Sequence, residues 1–450
     1  MLDVALSILA FVVAIGVLVS VHEFGHFWVA RKLGFKVLRF SVGFGNPLWR
    51  RRGGPPDFIE YWLSSIPLGG YVKMLDEREG PVAAIEGHRA FNRRPVPHRV
   101  AVLLAGPTFN FLFAIVAYWA MFSTGVPGLK PVIGAVDESS DAARAGLRAS
   151  DRIEAVGKRA TETLEGATLA MFDQLLAGGR IDLAVREPSG NVKTVVLDVQ
   201  GREAELTEPG ALFQRLGIHP GPSAVIDAIT AGSAAASAGF EVGDEVVRAN
   251  GAPIRGWNEW RQFIRERPGE TVSIDVLRHE QPLAVSVAIP AIEEDGKTVG
   301  QIGAQGPPLS DLLAEQRYGV LEALPRGIQK TWDMSALTVR MLAKMVVGDV
   351  SLKNVSGPLQ IASYAGASAQ AGFSSFLDFL AVVSISLGIL NLLPIPLLDG
   401  GQVVYQLAEW VKGSPLSDRA MAVGQQIGVF FLIILMSFVF YNDITRMFGS

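Results

Sequence analysis

The chain of 450 residues contains no cysteine, which excludes disulfides and any thiolate metal site. It is also poor in charge. Asp, Glu, Lys and Arg make up 19% of the residues, the formal net charge is -4 and the mean hydropathy is +0.30. This balance offers no broad cationic surface, so no nucleic-acid partner is expected. No Gly-x-Ser-x-Gly stands near a plausible triad, which argues against a serine hydrolase.

Charge is absent over whole stretches. Val4 to Val21 carries none, and Phe24 to Ala30 prolongs that run to Arg31-Lys32. Val100 to Ser123, Phe379 to Leu398 and Ala420 to Asn442 are likewise uncharged. Each is long enough to cross a hydrocarbon core of about 30 Å. The first begins after Asp3 and has no basic start, so it reads as a membrane helix rather than a cleaved signal peptide. Four spans leave both termini on one side. Between Arg31 and Arg99 there are thirteen Lys or Arg against six Asp or Glu, including Arg50-Arg51-Arg52, so this connection is expected in the cytoplasm. The termini and the segment from about 125 to 370 then face outward. The lack of cysteine suits a bacterial envelope protein of this kind.

Inside the first apolar run stands His22-Glu23-Phe24-Gly25-His26. On a helix two histidines four residues apart share one face, so both imidazoles can bind one Zn²⁺ while Glu23 serves as general base to a metal-bound water. Ionisable groups within an apolar span are costly and are functional by default. A catalytic zinc needs a third protein ligand, and the local sequence offers none. Position 29 is Val29, and the first glutamate downstream, Glu60, lies beyond the helix-breaking Gly53-Gly54-Pro55-Pro56. The distant candidate is Asp399, in Asn391-Leu392-Leu393-Pro394-Ile395-Pro396-Leu397-Leu398-Asp399-Gly400-Gly401. There a carboxylate follows an apolar helix broken by two prolines and two glycines. Broken backbone at membrane depth is tolerated only where it is buried or lines a cavity.

The whole chain resembles the site-2 protease family, intramembrane zinc metalloproteases of Gram-negative inner membranes. The resemblance rests on the pentad, the Asn391 to Gly401 stretch, Ser65-Ile66-Pro67-Leu68-Gly69-Gly70-Tyr71-Val72-Lys73-Met74, and Ala105-Gly106-Pro107-Thr108-Phe109-Asn110. It implies Zn²⁺ held by His22, His26 and Asp399, with Glu23 as base. Asn110, Asn391, Pro394, Pro396, Gly69 and Gly70 would be polar or substrate-binding positions near the site. Physically, an asparagine inside a span can hydrogen-bond between helices, or near zinc can bind a stretched substrate backbone. Both readings stand for Asn110 and Asn391.

Phe58 to Leu63 and Tyr71 to Met74 are aromatic and β-branched runs separated by Pro67 and Gly69-Gly70, which predicts strands joined by a tight turn. The resemblance implies a membrane-associated β-element; a soluble cytoplasmic hairpin is the plainer alternative. A helical substrate must be unwound before its peptide bonds are reachable, and an exposed strand edge could hold it by β-augmentation.

Between the second and third runs lies an internal repeat. Ala135-Val136, Ala145-Gly146-Leu147 and Asp151-Arg152-Ile153 recur 93 residues later as Ala228-Ile229, Ala238-Gly239-Phe240 and Asp244-Glu245-Val246. The two modules resemble circularly permuted bacterial PDZ domains. Such domains bind peptides at a strand edge or, as folded bulk, exclude large substrates. After Pro307, apolar residues from Leu321 to Met345 recur at helical spacing among basic ones, predicting amphipathic helix against the membrane surface or against protein. Ser351 to Pro358 reads as a turn.

The expected architecture is a polytopic α-helical membrane protein with four transmembrane helices, a membrane-associated β-element and two tandem PDZ domains. In residue ranges this gives 1–33 as first span, 34–97 as β-region, 98–125 as second span, 126–218 and 219–292 as PDZ modules, and 293–370 as linker helices. The third span with its zinc motif covers 371–404, a cytoplasmic loop 405–419, and the fourth span with the outer C-terminus 420–450. The expected function is regulated intramembrane proteolysis of single-pass proteins after a first cut. A membrane-bound anti-sigma factor of the envelope stress response is the expected substrate, with signal-peptide remnants as another. The rivals are a membrane-anchored PDZ scaffold, which needs no metal, and a quality-control endopeptidase.

Overall fold

The computed structural model describes residues 2–294 and 297–448. Residues 1, 449 and 450, at the ends of the first and last expected segments, lie outside the described residues. The chain forms two units. One comprises residues 1–126, 317–342 and 355–450, the other 127–316 and 343–354.

In the first unit, α1 (Leu2–Lys32) and α2 (Val96–Thr124) are followed, much later in the chain, by α3 (Val320–Val347), α4 (Pro358–Ala371), α5 (Phe373–Leu392), α6 (Asp399–Lys412) and α7 (Asp418–Phe448). Among the described residues, four segments are long and apolar enough to cross a membrane: Ala5–Lys32, Val96–Thr124, Phe373–Leu392 and Arg419–Thr445. Small and aromatic residues knit α2 to α5, with Ala114, Ala117, Tyr118 and Met121 buried against Ala381, Ile385 and Ile389. Outward faces stay bare, as at Phe430 and Ile433 on α7. The third apolar helix starts at Phe373 and stops at Leu392, earlier than the expected run of Phe379 to Leu398. Proline cannot continue a helix, and Pro394 and Pro396 force the break. The expected loop 405–419 is a further correction, since α6 continues helically to Lys412.

The greater part of α3, Val320 to Leu342, belongs to this unit and packs on the helices rather than lying free. Gly327 meets the Ile115 carbonyl and the Trp119 backbone of α2, and Lys330 pairs with Asp378 of α5 at 2.9 Å. The turn at Ser351–Pro358 also gains a role. Gly357 caps α4, and the buried Asp443 carboxylate of α7 accepts the backbone N–H groups of Gly357, Leu359 and Gln360 at 2.9, 3.0 and 3.3 Å. A side chain on residue 357 would collide with that carboxylate.

The expected β-region is a pair of long, bent strands, β1 (Val37–Arg52) and β2 (Glu60–Met74). The first half of β1 is central. Phe40 pairs with both Tyr61 and Val72, and Ser41 with both Trp62 and Tyr71, while Trp49 to Arg52 fold back onto Leu63 to Glu60. Bends near Gly43 and Gly45, both at positive φ, allow the doubling back. One outer edge of the resulting sheet is the Gly70–Met74 stretch, whose far side is unpaired among the described residues.

The second unit repeats one design twice. The first module has a four-stranded sheet ordered Arg159–Ala160, Arg152–Val156, Arg180–Arg186, Val192–Asp198. The second has the same order in Ala252–Pro253, Glu245–Ala249, Thr271–Arg278, Gln281–Ala288. The 93-residue offset holds to the atom. Asp151 accepts the Arg148 N–H and Asp244 the Glu241 N–H, each at 2.9 Å. Each carboxylate also has a cationic partner, taken from a position that does not follow the offset: Lys193 pairs with the first at 3.0 Å and Arg278 with the second at 2.8 Å. Ser140 and Ser233 cap equivalent short helices. A small sheet closes each module, Ile133–Val136 with Ile218–Pro220 and Ala228–Ile229 with Ala304–Gln305. The second module therefore runs past the boundary expected at 292.

Candidate metal centre

The site is built where α1 and α2 cross. Gly25 of α1 faces the Ala105 carbonyl, and a Cβ there would stand 2.5 Å from that oxygen. Gly106 of α2 faces the imidazoles, where any side chain would overlap His26 Nε2. Small residues thus bring the two backbones together, as at close crossings of apolar helices. His22 and His26 lie one turn apart on α1 and are 9% and 8% exposed.

Asp399 arrives from far along the chain. After α5 ends, Leu393 to Leu398 fold into a tight turn in which the Leu398 N–H reaches the Ile395 carbonyl at 2.9 Å. Gln402 Nε2 donates to the Pro396 carbonyl at 3.0 Å. Gly400 and Gly401 touch the Leu392 and Ile395 carbonyls so closely that neither could carry a side chain. Asp399, first residue of α6, is thereby turned back toward α1.

The donor atoms converge. His22 Nε2 and His26 Nε2 are 3.2 Å apart and stand 3.2 and 3.4 Å from Asp399 Oδ2. Donors about 2.0–2.1 Å from a tetrahedral zinc lie about 3.3–3.4 Å from each other, so the trio has the spacing such an ion requires. Asp399 Oδ2 is buried without a hydrogen bond, as an oxygen reserved for a cation would be. The outer ring nitrogens are engaged as well. His26 Nδ1 donates to the Val102 carbonyl at 2.8 Å, which leaves the Nε2 lone pair facing the trio. His22 Nδ1 lies 3.2 Å from the Asn110 amide, which is buried and has its Oδ1 unpartnered. Turning that amide over, a change of atom labels and not of shape, lets Oδ1 accept the Nδ1–H and frees His22 Nε2 in the same way.

The other expected positions divide. Gly70, on the free strand edge, abuts Glu23. Gly69, at φ +141°, faces the Phe44 ring instead. Asn391 sits in the last turn of α5 and makes no hydrogen bond to the trio among the described residues; Pro394 and Pro396 act through the turn that aims Asp399. Sequence reasoning missed the Val102 carbonyl, because a backbone acceptor carries no residue signal. It also missed Gly106 as the contact for both rings, although that glycine lies within the quoted Ala105 to Asn110 motif.

Two histidines and a carboxylate gathered among apolar helices, with a glutamate between them in sequence, define a metallopeptidase. The family model for peptidase family M50 matches residues 10–435. The regulator of sigma-E protease RseP of Escherichia coli is 39% identical over 99% of this chain and 100% of its own length. Protease RseP of Yersinia pestis is 40% identical over the same shares. A Neisseria meningitidis protein whose name assigns it to the zinc metalloproteases is 37% identical over 98% of this chain and 100% of its length. A solved PDZ domain from Listeria monocytogenes covers 21% of the chain and 92% of that domain at 19% identity and a TM-score of 0.17, too low to bear on the fold. The chain belongs to peptidase family M50. It is a zinc metalloendopeptidase of the intramembrane, site-2 protease type.

Proposed function

We propose that His22, His26 and Asp399 hold the zinc, that Glu23 is the general base, and that the substrates are single-pass membrane proteins already shortened by a first cut. The observation that carries the site is the mutual spacing of the three donors, 3.2, 3.2 and 3.4 Å. When bound, zinc supplies Lewis acidity that polarises the scissile carbonyl and acidifies water. Glu23 takes the proton of the attacking water and delivers it to the leaving amine. The Gly70–Met74 edge lies against Glu23 and offers backbone groups to an unwound substrate segment, holding it extended beside the base.

In this reading the four apolar helices cross the bacterial inner membrane. Arg31, Lys32 and the basic β-region mark the cytoplasmic end, and His22 lies near it. The two β-modules are PDZ domains on the periplasmic side, where folded bulk excludes substrates with large outer domains. The likeness to a protein named regulator of sigma-E protease RseP supports an anti-sigma factor as substrate, with signal-peptide remnants as a further class. A metal-free scaffold leaves the buried His-His-Asp trio without a purpose.

The test is zinc content of the detergent-purified chain and of Asp399→Ala, beside cleavage of a model single-pass substrate. One zinc per chain, lost together with cleavage in the variant, is the expected result. A variant that keeps both removes Asp399 from the site.

A further inference from the structure

α6 does more than begin with Asp399. Asp399, Gln402, Gln406 and Glu409 are spaced three, four and three residues apart, which lines them on one face of the helix. Gln406 on that face is 5% exposed. At the far end Glu409 meets Arg99, in the first turn of α2, through two parallel bonds of 2.9 and 3.2 Å. Arg99 is 4% exposed, an unusual depth for a guanidinium, which is held there by this fork. The same helix α2 supplies the Val102 carbonyl to His26, Gly106 beneath both rings and the Asn110 amide to His22.

We propose that Arg99 and Glu409 are positioning residues for the metal, a brace that fixes where Asp399 stands relative to the histidines. The inference rests on Asp399 being a zinc ligand. α6 is aimed at its start by the turn from Leu393 to Leu398 and packs along α2, and the fork at Glu409 fixes its far end against that helix. Ten residues of helix span about 15 Å, so a small tilt at Glu409 rotates the first turn and moves the carboxylate off the trio. A bidentate pair fixes the approach of the two helices as well as their distance, which a single lysine contact could not do. Losing Glu409 leaves Arg99 as a buried, unpaired charge, and losing Arg99 leaves the half-buried Glu409 carboxylate without its partner.

The experiment uses the full chain in detergent and reads zinc retention against a competing chelator, together with the thermal midpoint of the metal-free protein. Arg99→Gln and Glu409→Gln are each expected to bind zinc about tenfold or more weakly, the scale of orienting groups around metal ligands. The exchanged pair, Arg99→Glu with Glu409→Arg, is expected to recover most of that loss. Asp378→Asn breaks the Lys330 pair between α3 and α5 and serves as the control for general loosening; it is expected to lower the midpoint without altering zinc retention. Wild-type zinc retention in both single variants would overturn the brace. So would an exchanged pair no better than the singles, or zinc loss in Asp378→Asn equal to theirs. Asp399→Ala separates the two levels of the reading. If it holds zinc like wild type, the ligand assignment fails and the brace falls with it; if it alone releases zinc, the assignment stands and only the brace is wrong.

Discussion

Gly70 lies against Glu23 so closely that a Cβ on the glycine would stand 2.8 Å from the glutamate Cγ. The same Cβ would be 2.7 Å from the Ser41 carbonyl and 2.9 Å from Val19 Cγ1. The residue proposed as general base and the strand edge proposed to carry substrate are thus in direct contact, and only a glycine permits it.

Replacing Gly70 with valine should therefore lower kcat for a single-pass substrate by about tenfold or more, because displacement of the base or edge by an ångström costs on that order or beyond. Zinc content should not change, since Gly70 touches none of the three donors. Metal analysis beside the kinetics checks both halves; loss of zinc would place Gly70 in the metal site rather than beside the base.

Glu23→Gln keeps the size of the side chain and removes its basicity. It should bind zinc as wild type does and cut about 10²- to 10⁴-fold more slowly, the usual worth of a positioned general base. Cleavage at the wild-type rate by the purified variant contradicts the mechanism.

Gly106→Ala pushes a methyl into His26 Nε2 and the His22 ring, so the rings must turn away from Asp399. Asn110→Leu leaves the rings where they are and removes the partner of His22 Nδ1. Both should weaken zinc binding, the second by about 10- to 100-fold. Chelator competition on the purified variants measures each loss, and wild-type affinity in Asn110→Leu would reduce that residue to helix packing.

The second β-module should weaken in acid through Asp244. Burial raises the pKa of this carboxyl, but Arg278 and the Glu241 N–H outweigh burial and hold it below its ordinary 3.8. A depressed carboxylate stabilises the fold at any pH above its unfolded value, and that contribution is lost as pH falls through the folded one. Hydrogen exchange of the module within the full chain should lose protection as pH drops below 3.8, and Asp244→Asn should show a flatter dependence. Parallel curves for the two proteins would assign the acid sensitivity elsewhere.

Much of the site was legible because its parts obey local rules. The spacing of His22 and His26 needs only a helix to put both imidazoles on one face, and Pro394 and Pro396 announce a break in the backbone just before Asp399. The internal repeat was visible for the same reason, since Asp151 and Asp244 each bond a backbone N–H three residues earlier in the chain. Helix ends were less legible. The third apolar run was placed six residues late at both ends, because hydropathy continues across Pro394 and Pro396 while the hydrogen-bond ladder does not. The Ser351–Pro358 segment was legible as a turn but its role was not, as its partner Asp443 lies on the last helix.

The sequence by itself determined the chemistry: which residues could bind zinc, which could serve as base, how many apolar helices there are and that one module occurs twice. Helical period, side-chain type and hydrocarbon thickness are properties of short segments, and they need no knowledge of the rest. Only the tertiary structure decided that Asp399 meets two histidines nearly four hundred residues away. It alone set the Gly70 edge against Glu23 and joined Arg99 to Glu409. Those contacts depend on how closely helix backbones approach at Gly25, Gly106, Gly400 and Gly401, and that approach is fixed by three-dimensional packing to which every segment contributes.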